Sequence, residues 1–204
     1  MSLSEYIKNK KPKNLIWSKV EIFVKDQVSV ENFSLEKVRR KLEQSIPAYL
    51  ASNIDIIYVG SFSFLEDRDL QAMYDSSSIF VTNKQESEED MVDDIVHEIA
   101  HSVEEKFYGQ IYGDKKLERE FILKRENLWQ ILQSEGYEIN LKYFQEPEYD
   151  EVFDKYLYQQ VGYPILSSMT VNLFYSPYGA TSLREYFATG FEAFFYHKDY
   201  QRLK

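Results

Sequence analysis

The pentapeptide His97-Glu98-Ile99-Ala100-His101 fits the pattern H-E-x-x-H and sits inside an apolar periodicity that suits a helix. At about 100° per residue, Val92, Ile95, Val96, Ile99 and Val103 fall within an arc of roughly 100°. His97 and His101 then stand one above the other, at i and i+4, on the opposite side. Glu98 is rotated from them by one residue step. A helix that packs through this stripe turns both imidazoles toward a cleft. The fold must therefore offer the helix a packing surface on one side and an opening on the other. The chain has three histidines, and two of them are here.

The 204 residues suit one domain with a sizeable core, drawn as a sheet-bearing half over 1–86 and a helical half over 87–204. Hydrophobic content of 44% and charged content of 28% place it among soluble globular chains. No apolar run approaches the roughly 20 residues that span a bilayer, so no membrane partner is expected. The opening MSLSEYIKNKKPKNLIW is basic but lacks a following apolar region, so no secretory signal is read there. The absence of cysteine excludes disulfides and thiolate metal sites, and leaves the compartment open. A net charge of −10 argues against a nucleic-acid partner and fits a basic polypeptide better. The oligomeric state is left open.

Along the chain, Lys19–Val28 alternates as a strand, and Ser34 caps a helix that carries Leu35, Val38 and Leu42 and ends near Pro47. Ile54–Val59 reads as a buried strand. Gln71–Tyr74 and Ser78–Thr82 read as a hairpin about an Asp-Ser-Ser turn. Ser87-x-x-Asp90 is a capping-box signature that opens the H-E-x-x-H helix. A second long helix covers Lys115–Ser134, with Leu117, Phe121, Leu128, Ile131 and Leu132 as its apolar set. The acidic stretch Gln145–Asp154, with Pro147, reads as a solvated connection, and a last helix runs from about Ser182 to Tyr196. This order predicts an α+β fold with a small mixed sheet, an antiparallel edge strand and a helical C-terminal half.

Two neutral imidazoles one turn apart can share one Zn²⁺, with Glu98 placed as a general base. A catalytic zinc takes a third protein ligand. The metzincin extension fails, because Glu104 and Phe107 stand where its glycine and histidine belong. Glu120 and Glu126 on the next helix are available but have no distinguishing context. Near the C-terminus, Tyr178-Gly179-Ala180-Thr181-Ser182-Leu183-Arg184-Glu185-Tyr186-Phe187-Ala188 resembles the end of the anthrax lethal factor-like metallopeptidases, which include the secreted Pro-Pro endopeptidases.

The resemblance implies a zincin fold of the gluzincin type. It makes His97, His101 and Glu185 zinc ligands, Glu98 the base and Tyr178 the oxyanion donor. It covers only the active-site helix and this C-terminal segment. Two departures matter: 84 positions separate His101 from Glu185, more than in those relatives, and Thr189 stands where they often carry a second acidic residue. Substrate preference is therefore not carried over.

Simpler roles exist for several of these residues. Ser182-x-x-Glu185 is itself a capping box, Tyr178 can pack beside a turn glycine, and Tyr175 competes for the oxyanion role. Glu192, two turns after Glu185, is a reserve ligand or a group that orients an imidazole. His197 reads as a surface residue at a helix end. The leading expectation is a zinc-dependent endopeptidase, a hydrolase that holds its polypeptide substrate against Gln71–Tyr74 as an added strand. The alternatives are a regulatory H-E-x-x-H protease acting on one intracellular protein, and a catalytically silent interaction protein of the same fold.

Overall fold

The computed structural model describes residues 15–171 and 173–202, so the reading of the N-terminus lies largely outside the described residues. The chain is α+β and divides into two compact units, one ending at Ser102 and the next beginning at Val103. The boundary falls within a helical segment that is broken further on, at Phe107.

In the first unit the strands are β1 (Leu15–Ile16), β2 (Val20–Val24), β3 (Ile56–Gly60), β4 (Ala72–Asp75) and β5 (Ser78–Thr82). They form one mixed sheet in the order β1-β2-β3-β5-β4. β2, β3 and β5 run parallel, β1 is antiparallel to β2, and β4 is antiparallel to β5 at the edge. Helix α1 (Leu35–Ser45) connects β2 to β3, and its cap forms as the sequence predicts, with Ser34 Oγ accepting from Lys37 N–H. A short helix α2 (Ser63–Glu66) follows β3.

Along the strands, Ile22, Ile57, Val59, Ile79 and Val81 are buried. The alternate residues Phe23, Tyr58 and Phe80 line up across the register, with ring centroids 5.9 and 5.1 Å apart. β2 stops at Val24, short of the expected Val28. There Asp26 folds its carboxylate over Gly60 to accept Ser61 N–H at 2.9 Å, which takes the chain out of the ladder. A Cβ on Gly60 would lie 2.9 Å from that carboxylate.

The hairpin turns on Ser76 and Ser77, with φ of +48° and +65°. Positive φ at both central residues matches the right-handed twist of the strands. Thr82 N–H donates to Gln71 O at 2.8 Å, and alternate pairs carry the ladder, so Ala72 and Tyr74 turn their main-chain groups away from β5.

Helix α3 (Glu88–Tyr112) is the long helix, with a non-helical residue at Phe107 (φ −114°, ψ 21°). The second unit continues with α4 (Lys116–Ser134), α5 (Lys142–Gln145), α6 (Glu151–Lys155, running on through wider turns to Val161), α7 (Tyr163–Met169) and α8 (Leu183–Glu192, continued by Ala193–His197). α4 ends at Gly136 (φ +86°), where Tyr137 N–H reaches back to Leu132 O. The core here comprises Phe121, Leu128, Leu132, Phe144, Phe153, Leu157, Val161, Leu166, Phe174 and Ala180.

The stretch 145–154 is mostly exposed, as its composition predicts, but it leads into α6 and is anchored to the core at Phe153. Asp150 caps α6 by accepting Phe153 N–H at 2.8 Å, and Phe153 is fully buried. The anchor is Arg125 on α4, 1% exposed. Its guanidinium donates to Tyr143 O and, at 2.8 Å, to Glu146 O, and lies 4.3 Å from the Phe153 ring centroid. Burial pulls it down to about 9. That still leaves it charged at neutral pH.

Arg125→Leu should therefore destabilise the protein by about 2–4 kcal/mol, because two partly buried carbonyls lose their charged donor. Arg125→Lys should recover only part of this, since an ammonium lacks the planar fork. Urea unfolding of the three proteins reads both effects.

Candidate metal centre and active site

Helix α3 carries the motif and begins where the sequence places its cap, with Ser87 Oγ accepting Asp90 N–H at 3.1 Å. Glu88, Glu89 and Asp90 fill the first turn, where the helix dipole favours anions. The stripe Val92, Ile95, Val96, Ile99 is fully buried, and Val103 is nearly so. The burial extends beyond that stripe. Ala100 and Ser102 are also fully buried, and Glu98 and His101 are each 8% exposed. Only His97 of the motif's three polar residues is half-buried.

The two imidazoles meet as i, i+4 spacing requires, ring centroids 4.9 Å apart and planes at 79°. Glu98 points to the edge of the sheet, where its Oε2 accepts the main-chain N–H of Tyr74 at 2.6 Å. That distance marks a strong, charge-assisted bond. The Tyr74 phenol in turn accepts from Asn53 Nδ2 at 2.8 Å. One turn before His97, Asp94 accepts from Gln85 Nε2 at 2.9 Å. Burial pushes the Asp94 carboxyl up to about 6; the Gln85 bond opposes the shift, while Asp93 and Glu98 add to it.

In the second unit, Tyr178–Ala180 forms a short 3₁₀ turn before α8. Ser182 caps α8, its Oγ accepting Glu185 N–H at 3.2 Å, and Glu185 lies in the first turn. Gly179 is required here by crowding and not by a sharp turn. It is not among the glycines with positive φ, but a Cβ on it would lie 2.6 Å from Thr189 Oγ1. That hydroxyl donates to Glu185 O at 2.8 Å. Burial, reinforced by the carboxylate of Glu185, raises the Tyr178 phenol well above its ordinary range. It therefore stays protonated and can act as a donor.

The reserve candidates have other engagements. Glu120 accepts from the Tyr186 hydroxyl at 2.7 Å and pairs with Lys124 at 3.2 Å. Glu126 accepts from Gln145. Tyr175 stacks on His197 and lies under the Arg202 guanidinium, 4.9 Å away. Glu192 is buried on α8, at 9% exposed. Glu104, in the metzincin glycine position, is 4% exposed and accepts from the Tyr112 hydroxyl at 2.8 Å and from Arg184 Nε at 2.9 Å.

Neither Tyr74 N–H nor the Gln85–Asp94 pair is legible from sequence. A backbone donor carries no residue signature, and Gln85 precedes any recognisable helix signal. No family model, curated protein or solved structure gives a significant match to the chain.

Asp94 sets a pH dependence. Its folded pKa lies above the ordinary aspartate value of about 3.9, so the folded state binds more protons than the unfolded state between the two. This carboxyl therefore costs stability as pH rises through that window toward about 6. Asp94→Asn, which keeps an acceptor for Gln85, should gain stability relative to the parent at pH 7.5 and lose most of that gain at pH 4. Denaturant unfolding of chelator-treated protein at the two pH values measures it.

Proposed function

We propose that this chain is a zinc-dependent endopeptidase of the zincin class, gluzincin in its ligand set and similar in motif to the anthrax lethal factor-like metallopeptidases. The observation that carries the reading is the constellation on α3. Two imidazoles stand one turn apart, and the carboxylate between them in sequence reaches the main chain of an antiparallel edge strand.

The donor chemistry fits zinc. His97, His101 and Glu185 would supply two nitrogens and one oxygen, a set that zinc takes. Zinc so held would acidify a water and polarise the scissile carbonyl. Glu98 would accept the proton of the attacking water and pass it to the leaving amine. The protonated phenol of Tyr178 would donate to the oxygen on which negative charge develops. Strand β4 presents outward main-chain groups at Ala72 and Tyr74 that an extended peptide can pair with. An intact Glu98 favours an enzyme over a silent interaction protein, since zinc binding alone does not call for that residue.

Elemental analysis of dialysed protein should give one zinc per chain, lost in His101→Ala. Glu98→Gln should keep the zinc and lower hydrolysis of a peptide library by at least about 10²-fold, the scale of a lost general base. A metal-free wild type, or unchanged turnover in Glu98→Gln, would overturn the assignment. Tyr178→Phe should keep fold and zinc, leave KM within a few-fold and lower kcat by roughly 10–10³-fold, because its bond matters in the transition state. Equal activity in Tyr178→Phe with loss in Tyr175→Phe would move the role to Tyr175.

A further inference from the structure

The bond between Tyr74 N–H and Glu98 Oε2 joins two groups that the proposed reaction needs separately. Tyr74 occupies a position of β4 whose main-chain groups face away from β5, so its N–H is the donor that an added strand would use. Glu98 is the carboxylate that must meet a water. In the free protein the two hold each other at 2.6 Å. One N–H does not serve two acceptors at full strength, because a shared bond is longer and weaker on each arm.

We infer that Tyr74 N–H is a shared donor that couples peptide docking to release of the base. This inference rests on the endopeptidase reading. A peptide whose carbonyl reaches Tyr74 takes the N–H and displaces the Glu98 carboxylate, which turns to the water. A peptide that docks short of Tyr74 leaves Glu98 held and is cut slowly even when bound. Main-chain length across β4 therefore governs kcat as well as KM. Side-chain identity at that position has no part in it. Tyr74 is a positioning residue acting through Glu98, and it acts by its backbone.

The structure provides a way to remove the donor alone. Because Tyr74 N–H points away from β5, proline at this edge position costs no ladder bond. Tyr74→Ala is the matched control, losing the ring and its bond from Asn53 while keeping the N–H. The substrates are a nested series of end-capped peptides, shortened one residue at a time from a sequence that the wild type cuts.

In Tyr74→Ala, one shortening step should lower kcat by at least about 10-fold, the scale of a lost hydrogen bond to a charged group. In Tyr74→Pro, the same step should change kcat by no more than about two-fold. No such step in Tyr74→Ala, or the same step persisting in Tyr74→Pro, overturns the coupling. An arm without turnover uses the zinc-free protein: Glu98→Ala should lower the exchange protection of the Tyr74 amide by at least about 10-fold by NMR. An unchanged amide there overturns the contact itself. If wild type with zinc cuts no peptide while the amide responds, the endopeptidase reading fails, and the coupling built on it fails too.

Discussion

A helix that buries its polar side chains must have its partners delivered to it, and α3 places this demand on its surroundings. Glu98, His101, Ser102 and Glu104 all lie at or below 8% exposure. A buried polar group without a partner costs on the order of 1–3 kcal/mol, and an uncompensated charge costs more. Ser102 solves its problem within the helix, donating to Ile99 O at 2.8 Å. Glu104 draws on Tyr112 and Arg184. Glu98 draws on a strand, and that fixes more than one contact. Only alternate residues of β4 turn an N–H away from β5, so a slip of one residue in the β4–β5 register would withdraw the donor.

The elements legible in the sequence are those specified by short-range chemistry. Ser34, Ser87 and Ser182 each cap the helix they precede, because the rule needs only one hydroxyl and the amide three residues on. The hairpin was readable from two apolar runs about a polar turn, although its serines adopt positive φ without help from glycine or asparagine. The failures follow from long-range partners. Residues 145–154 are mostly exposed, as their acids and proline suggest, but Phe153 is buried and Arg125 holds the carbonyls of Tyr143 and Glu146, 18 and 21 residues away in sequence. Nothing local distinguishes Arg125 from the other cations of an amphipathic helix. β1, described over Leu15–Ile16, is recognised by its pairing with β2.

The candidate site divides along the same line. The i, i+4 histidines are legible because helical geometry alone brings them together. Glu98 is legible as a residue, but its holding partner is a backbone amide and leaves no trace in the side-chain sequence. Gly179 was legible as important for the wrong reason. It permits close approach of Thr189. A hydroxyl at that point can abut Gly179 and donate to Glu185 O in one short side chain.

That arrangement shows how Glu185 can be held for the role proposed for it. Its N–H is bonded to the capping Ser182 and its carbonyl to Thr189, one turn on. Both ends of its peptide environment are fixed by hydroxyls that sequence places at three before and four after. The backbone of the residue is thus set within α8 and its cap. For the ligand role proposed for Glu185, support by a helix and not a loop would help keep the site's geometry within narrow limits. A side chain at position 179 would have to displace Thr189, since a Cβ there would lie 2.6 Å from the threonine hydroxyl. The glycine is therefore tied to the threonine ten residues later, and through its hydroxyl to the backbone of Glu185.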